Sequence, residues 1–446
     1  MNKKFDPLAL SEFARHYGFH YDNIDPFLLV NDIIAEMEKG LNGAKSSLPM
    51  IPAYLAAAAK TISGKTVIAL DAGGTNLRSA LVKFDSSGRA AVLESRKVPM
   101  PGTSGSLGAE AFFDEIAAVT APLVESAAEN IDGIGFCFSY NMEITKDTDG
   151  ILKSFSKEIE AGEVIGMALG KGLREALLRR KVNAPERIVL LNDTVATLLS
   201  GLTEIPLNGK EAGAAIGFIL GTGINTAYPE ACIPKIGFNS KENQQIVVCE
   251  SGSFSHRYMG ELDREFDSTT KMPGAYTLEK ATAGAYLGPL SFHIICRAIK
   301  DGLFTFGRAS EFLSLSALQT KDLNAFQLDP TKQSGPVGSL FGKDEKDAIA
   351  SFLYLASIIT KRAGILSASV LAAAVRKAQN SFAAFDPCMP VRIAVEGTTF
   401  MVYKGMRSAL EAHLHAILNK EKPCSYIIAP VEQASLFGAA VAALSQ

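Results

Sequence analysis

The chain reads as an α/β protein of two lobes facing each other across a cleft. A strand, a glycine-rich turn and a second strand occur twice, about 150 residues apart, as a weak internal duplication with one copy per lobe. Between and around them, short apolar β-branched runs alternate with segments of helical period. The length agrees: 446 residues exceed what one hydrophobic core serves, so two units of roughly 200 residues are expected.

The elements follow in order. Asp25 is placed to cap a helix, Pro26 suits its first turn, and Val30, Ile33, Ile34, Met37 and Leu41 recur at helical spacing until Gly40 and Gly43 end it. A further helix is expected over 51–60. Thr66-Val67-Ile68-Ala69-Leu70 then opens a three-stranded meander, continued at 78–84 and 91–98, with Asp71-Ala72-Gly73-Gly74-Thr75-Asn76 as its first turn. A glycine-rich loop at 101–108 leads to a helix at 109–130. Buried strands are expected at 133–139 and 187–191, the second running into Asn192-Asp193. The second copy starts at 214–220, turns at Gly221-Thr222-Gly223-Ile224-Asn225 and continues as a strand. The stretch 309–344 has no usable pattern. The stretch 349–377 is apolar but interrupted by Lys361, Arg362 and Arg376, which suits one or two buried core helices, and 435–445 suits a packed final helix.

Composition narrows the class. A hydrophobic share of 47% with 20% charged residues fits an ordinary globular enzyme, and a net charge of −3 gives no basic footprint for nucleic acid or anionic membranes. The six cysteines are scattered without C-x-x-C spacing, as expected of reduced thiols rather than disulfides or a metal site. Two lysines near the start are not followed by an apolar signal core, and no uninterrupted apolar run approaches the ~18 residues of a membrane span. A cytoplasmic protein with neither nucleic acid nor membrane as partner is expected.

The glycine turns carry the chemistry. A phosphate chain needs several N–H donors converging on one concavity, and paired glycines let the backbone come close. Thr75 adds a hydroxyl, Asp71 a carboxylate able to hold Mg²⁺ directly or through water, and Arg78 a charge for a transferring phosphoryl group. The turn is not a P-loop, and no helix follows it as a dinucleotide fold requires. An ordinary hairpin is the alternative for the first turn alone, and the opposed second turn weighs against it. Asn192-Asp193-Thr194 sits at the mouth of a buried strand, where open α/β sheets present ligands. Asp193 there could take a proton from a hydroxyl nucleophile, while the alternative is a plain helix cap. Ser139, Asn225 and Glu250 also sit at strand ends. They could meet the hydroxyls of a sugar, or be satisfied turn residues.

Together these segments resemble the hexokinase family. Met37-Glu38-Lys39-Gly40-Leu41 and Leu48-Pro49-Met50-Ile51-Pro52 are similar to its N-terminal stretch, and Asp71 through Arg78 to its first phosphate motif. Gly135-Phe136-Cys137-Phe138-Ser139-Tyr140, Gly150-Ile151-Leu152 and Ser156-Lys157 resemble its sugar-binding segment. Leu191-Asn192-Asp193-Thr194-Val195-Ala196-Thr197 resembles its catalytic-aspartate segment, and Gly221-Thr222-Gly223-Ile224-Asn225 its second phosphate turn. Glu250 and the run from Pro273-Gly274 through Leu278-Glu279-Lys280 to Tyr286-Leu287-Gly288 complete the series.

The resemblance implies a two-lobed actin-like ATPase fold of ribonuclease H-like type, with mixed sheets flanked by helices. One lobe would comprise 64–190 with 433–446, the other 1–63 with 191–432. It implies an ATP-dependent hexose 6-phosphotransferase, monomer or homodimer, using Mg²⁺. Asp193 would be the general base, with Lys157 and Arg78 also catalytic. Ser139, Ser156, Lys157, Asn192, Asp193, Asn225, Glu250 and Glu279 would hold the hexose. Asp71, Gly73, Gly74, Thr75, Asn76, Arg78, Gly221, Thr222, Gly397, Thr398 and Ser435 would hold ATP, and Asp71 and Asp193 the metal through water. A non-catalytic sugar sensor on the same fold is the alternative. The chain departs from the family pattern at Ser156 (usually Thr), Asn141 (usually Pro) and Glu396-Gly397-Thr398 (usually Asp-Gly-Thr). It departs again at Ala434-Ser435-Leu436-Phe437-Gly438, where Gly-Ser-Gly is expected.

Overall fold

The computed structural model describes residues 4–56, 62–127, 131–155, 159–203, 214–382, 389–420 and 423–445. Helices α1 (Pro7–His16) and α2 (Pro26–Leu41) begin alike: proline occupies the first turn, where its missing N–H costs nothing, and Asp6 or Asp25 caps it by accepting two backbone N–H groups. The stretch expected to be helical at 51–60 is instead, where described, strand β1 (Ile51–Ala56). Pro52 cannot donate inside a helix, Met50 and Tyr54 take φ of 50° and 54°, and Ile51 pairs across to Val248. Residues 57–60 of that expected helix lie outside the described residues.

The next segment builds the first sheet. The meander forms as expected: β2 (Thr66–Gly73), β3 (Asn76–Phe84) and β4 (Ala90–Pro99). Helix α3 (Ala109–Ser126) crosses to β5 (Gly133–Phe138), which runs parallel to β2; the expected extension to 130 reaches residues not described. A hairpin of β6 (Asn141–Ile144) and β7 (Gly150–Ser154), helix α4 (Leu169–Arg179) and β8 (Ile188–Leu191) complete a five-stranded sheet of order β4-β3-β2-β5-β8.

Helix α5 (Asp193–Thr203) leads into the second sheet. Its strands are β9 (Ala214–Leu220) and β10 (Ile224–Glu230), then, after a small hairpin of β11 (Cys232–Ile233) and β12 (Phe238–Asn239), β13 (Gln245–Val248). A helical stretch follows: α6 (Glu261–Ser268), α7 (Thr277–Thr282), α8 (Gly284–Lys300), α9 (Ala309–Leu313), α10 (Thr320–Leu328), α11 (Gly335–Gly338) and α12 (Lys346–Ser381). Strand β14 (Val391–Glu396), α13 (Thr398–Val402), α14 (Met406–Lys420) and β15 (Tyr426–Pro430) close a six-stranded sheet, β1-β13-β10-β9-β14-β15. The chain ends in α15 (Ala434–Ala442).

The charges in 349–377 do not split α12: the buried ones find partners and Lys361 reaches the surface. Arg362, buried, makes two hydrogen bonds to the Asp263 carboxylate at 2.6 and 2.7 Å, and Lys377 pairs with Glu230 at 3.0 Å. The most apolar window of α12 has the length and composition of a membrane span, but 94% of it is buried, so it serves as the axis of the larger core.

Helices α5 and α15 lie between the sheets, and one apolar cluster joins residues of both sheets through them. Their seats are glycines. A Cβ on Gly217 of β9 would overlap the carbonyl of Thr194 in α5, and one on Gly135 of β5 the carbonyl of Ala439 in α15. The helices meet at Gly438, where a Cβ would overlap the backbone of Ala196. Backbone this close cannot yield to an added methyl. Gly438→Ala should therefore lower unfolding stability by about 1–3 kcal/mol, the usual cost of overpacking. Urea denaturation measures this, and an unchanged midpoint would show that the helices can part.

Candidate active site

The first turn is pinned on both sides. The Tyr140 hydroxyl donates to the carbonyl of Gly74 at 2.6 Å, and the N–H of Met100 to that of Thr75 at 2.9 Å. Gly74 has φ 63°, a region glycine enters without strain. Thr75 and Asn76 are left exposed, with Gly73 half-buried behind them. Asp71 and Arg78 stand opposite in the β2–β3 register, and Arg78 Nη1 donates to Gln433 Oε1 at 2.9 Å. Gln433 itself is left-handed at φ 51°, directly before α15.

The second turn is held by its neighbours. Gly221 N–H donates to Gly223 O at 2.9 Å, and Gly221 O accepts the Gly284 N–H and the Thr399 hydroxyl, each at 2.8 Å. Gly397 has φ 120° and rests on Leu220, so only glycine fits. Thr222 and Thr398 are exposed beside it.

Asp193 opens α5. Asn192 caps that helix through Oδ1, which accepts from Val195 N–H at 2.9 Å, so the cap does not occupy the Asp193 carboxylate and the Asn192 Nδ2 group remains. Thr194 Oγ1 donates to Asp193 Oδ1 at 3.2 Å. Across the second sheet, Asn225 Nδ2 donates to Glu250 Oε1 at 2.9 Å, and Glu250 takes a left-handed φ of 55° that a non-glycine residue adopts only when its surroundings impose it. Glu279 Oε2 accepts from Ile224 N–H at 3.2 Å. It lies where Cβ atoms on Gly223 and Gly252 would stand 2.6 and 2.9 Å away, so those glycines make its room. Next to it, Lys280 is anchored to Asp267 and to Met272 O, which ties down the loop before α7. Ser139 ends β5 half-buried, its N–H donating to Ala72 O at 3.1 Å.

The structure brings the two turns, Asp193 and the Asn225–Glu250–Glu279 group to neighbouring strand ends. Ser156 and Lys157 lie outside the described residues. Ser435, expected at the nucleotide, is half-buried in the first turn of α15. Five residues escaped the sequence reading: Tyr140, Gln433, Thr197, Thr399 and Glu396. Glu396 was visible only as a departure from Asp. It ends β14, accepts from the Thr197 hydroxyl at 3.3 Å, and faces Asp193. The other four act through contacts between segments far apart in sequence.

Electrostatics ties the cluster together. Burial raises the carboxyl of Asp71, with Arg78 opposing and Asp193 adding to the rise. Burial raises Glu250, against the Asn225 hydrogen bond, with the charges of Asp193 and Glu279 adding. Burial and Asp193 raise Glu396. Burial raises Glu279 too, against the Ile224 N–H. Asp193 is the group common to the first three. Among the described residues no set of three or more His, Cys, Asp or Glu side chains is grouped to hold a metal alone.

Comparison with known proteins decides the family. Two models, each described as Hexokinase, match residues 10–203 and 215–445. The chain belongs to the hexokinase family. Among relatives of this hexokinase, Hexokinase-1 of Schizosaccharomyces pombe is 28% identical over 427 residues, covering 92% of this chain and 85% of that one. Hexokinase-1 of Oryza sativa is 28% identical over 435 residues, with the same coverage. The structure superposes on a Schistosoma mansoni hexokinase complexed with glucose with a TM-score of 0.75, at 23% identity, covering 99% of this chain and 100% of that one. The fold is thus the two-lobed actin-like one.

The raised Glu250 carboxyl has a stability consequence. Its folded pKa lies above that of the unfolded chain, so its ionised form weakens folding. That cost is fully present above the folded pKa and is relieved as pH falls through it toward the unfolded value. Glu250→Gln should melt higher than the parent at about pH 7, with the difference shrinking toward about pH 5. Calorimetry of both ligand-free proteins checks this, and a lower melting point at neutral pH would contradict it.

Proposed function

We propose that this hexokinase transfers the terminal phosphoryl group of ATP to the 6-hydroxyl of glucose or a closely related hexose. The reading rests on Asp193, whose charge acts both on Asp71, beside the first glycine turn, and on Glu250, within the amide–carboxylate group suited to a sugar. Asn225, Glu250, Glu279, Ser139 and the Asn192 amide hold the hexose hydroxyls, and Ser156 and Lys157 join them. Sugar hydroxyls buried here need partners of this kind, and hydroxyl donors in turn offset the crowding of negative charge.

Asp193 accepts the hydroxyl proton as the sugar oxygen attacks the phosphorus in line. Arg78 and the backbone N–H groups of the two glycine turns meet the charge on the phosphoryl oxygens. Gly397 and Thr398 border the nucleotide. Mg²⁺ fits this donor set: it keeps several waters and binds through one or two carboxylates plus phosphates, which Asp71 and Asp193 provide without an all-protein cage. When bound, it neutralises phosphate charge. The presence of Asp71, Arg78 and Asp193 together favours an enzyme over a sugar sensor. Closure of the lobes over the hexose would exclude water, a competing nucleophile.

A coupled assay for glucose-6-phosphate with ATP and Mg²⁺ tests the reading. Asp193→Ala should lower kcat by at least about 10²-fold, the scale of a lost general base, while the variant still binds glucose. Wild-type turnover would remove Asp193 from the mechanism. Glu250→Ala should raise KM for the sugar far more than KM for ATP. Equal values for variant and parent would place the sugar elsewhere.

A further inference from the structure

A cavity in the second lobe is lined by none of the residues that the phosphotransfer reading uses. It encloses about 530 Å³, within the usual range of small-molecule sites. Its walls are α10 with Gln327, one face of α12 with Leu353, Ser357, Thr360 and Lys361, and α14 with Ser408, Ala409, Ala412 and His413, closed by Lys404 and Gly405. It opens beside the point where Gly364 lets α12 approach Ala409 of α14.

The lining has a definite chemistry. Leu353, Ala409, Ala412 and the lysine stems make an apolar floor, while Lys361, Lys404 and His413 are its titratable groups; among the described residues no carboxylate lines it. Neither lysine is neutralised. Lys361 lies over the Tyr21 ring, 5.0 Å from its centre, and Lys404 donates to the carbonyl of Gln327. The Ser357, Thr360 and Ser408 hydroxyls turn to carbonyls of their own segments at 2.7, 2.9 and 3.1 Å. An apolar floor with two unneutralised cations fits an amphipathic anion.

The cavity also has a route to the nucleotide side. Lys404 and Gly405 follow α13, and α13 follows Gly397, whose backbone rests on Leu220 and Gly221 of the second glycine turn. Gln327 Nε2 donates to Tyr403 Oη at 3.0 Å, joining α10 to the same short connection. We propose that this cavity is an effector site for a small amphipathic anion, an apolar body with one carboxylate or sulfonate head, and that its occupancy changes the affinity for ATP through α13. The coupling rests on the nucleotide placement proposed above, and the binding does not.

The test uses anilinonaphthalene sulfonate as a fluorescent probe of the full chain, with decanoate as competitor and glucose-6-phosphate as a polar anion control. The parent should bind the probe at one dominant site, and decanoate but not glucose-6-phosphate should displace it. Lys361→Glu should weaken binding by about tenfold or more by reversing a charge at the site. Ala412→Phe should abolish that site by filling it. Thermal melts confirm that both variants are folded, and both should keep the parent's kcat at saturating substrates. Binding unchanged in both folded variants would overturn the site. Probe and ATP should alter each other's binding by the same factor, as linkage demands. Probe binding lost in both variants together with ATP affinity unmoved by the probe would overturn the coupling alone, and Asp193→Ala, assayed separately, reports on the phosphotransfer reading.

Discussion

Negative charge crowded into one cleft is the constraint around which this structure is arranged. Asp71, Asp193, Glu250, Glu279 and Glu396 are each half-buried at the ends of strands or the starts of helices, and burial alone raises four of them. The raised carboxyls of Asp71, Glu250, Glu279 and Glu396 mean that their ionised forms weaken folding. The cluster persists because surrounding elements leave it no alternative. Glu250 is forced left-handed, Glu279 is wedged against two glycines with Lys280 anchored behind it, and Asp193 sits on a capped helix. In the proposed reaction, sugar hydroxyls would bring donors and Mg²⁺ positive charge to this cluster.

The helix carrying Asp193 is the mechanical link between the lobes. Three glycines set its surroundings: Gly217 seats α5 on the second sheet, Gly135 seats α15 on the first, and Gly438 lets the two helices touch backbone to backbone. Around that contact Val195, Leu198, Leu199 and Leu436 share one apolar cluster. Asp193 follows β8 of the first sheet by two residues, and the Gly217–Thr194 contact seats its helix on β9 of the second, so the residue stands between the sheets.

Much of this was legible in the sequence because it is local. Caps at Asp25 and Asn192, the meander after Thr66, both glycine turns and the strand before Asp193 are written in spacing and turn chemistry. The failures were tertiary. The helix expected over 51–60 is strand β1 where described, because Val248 and its neighbours lie alongside. At 349–377 the expectation of one or two buried helices held, and what the sequence left open between them, the pairing of Arg362 and Lys377 with Asp263 and Glu230, is again tertiary. Tyr140, Gln433 and Thr399 reach the site across more than sixty residues each, a relation no local pattern carries.

The departures from the family pattern fall on both sides: Ser156 and Asn141 in the sugar-binding segment, Glu396 and the 434–438 stretch on the nucleotide side. On the proposed nucleotide side, the groups that face phosphate are backbone N–H donors of two turns, and what those turns demand is glycine at a few positions, such as Gly74 and Gly397, with a hydroxyl or amide to hold the carbonyls. The stretch Ala434-Ser435-Leu436-Phe437-Gly438 is governed by packing instead: Leu436 is buried in the cluster between the sheets, and Gly438 touches Ala196. Its contribution to the cleft passes through Gln433 and Arg78. On the proposed sugar side, by contrast, each function is a particular carboxylate or amide in a particular position, and Asn192, Asp193, Asn225, Glu250 and Glu279 all match the pattern. A backbone site tolerates changes of side chain that a side-chain site does not, which is why the sugar end of this cleft is written more plainly in the sequence than the nucleotide end.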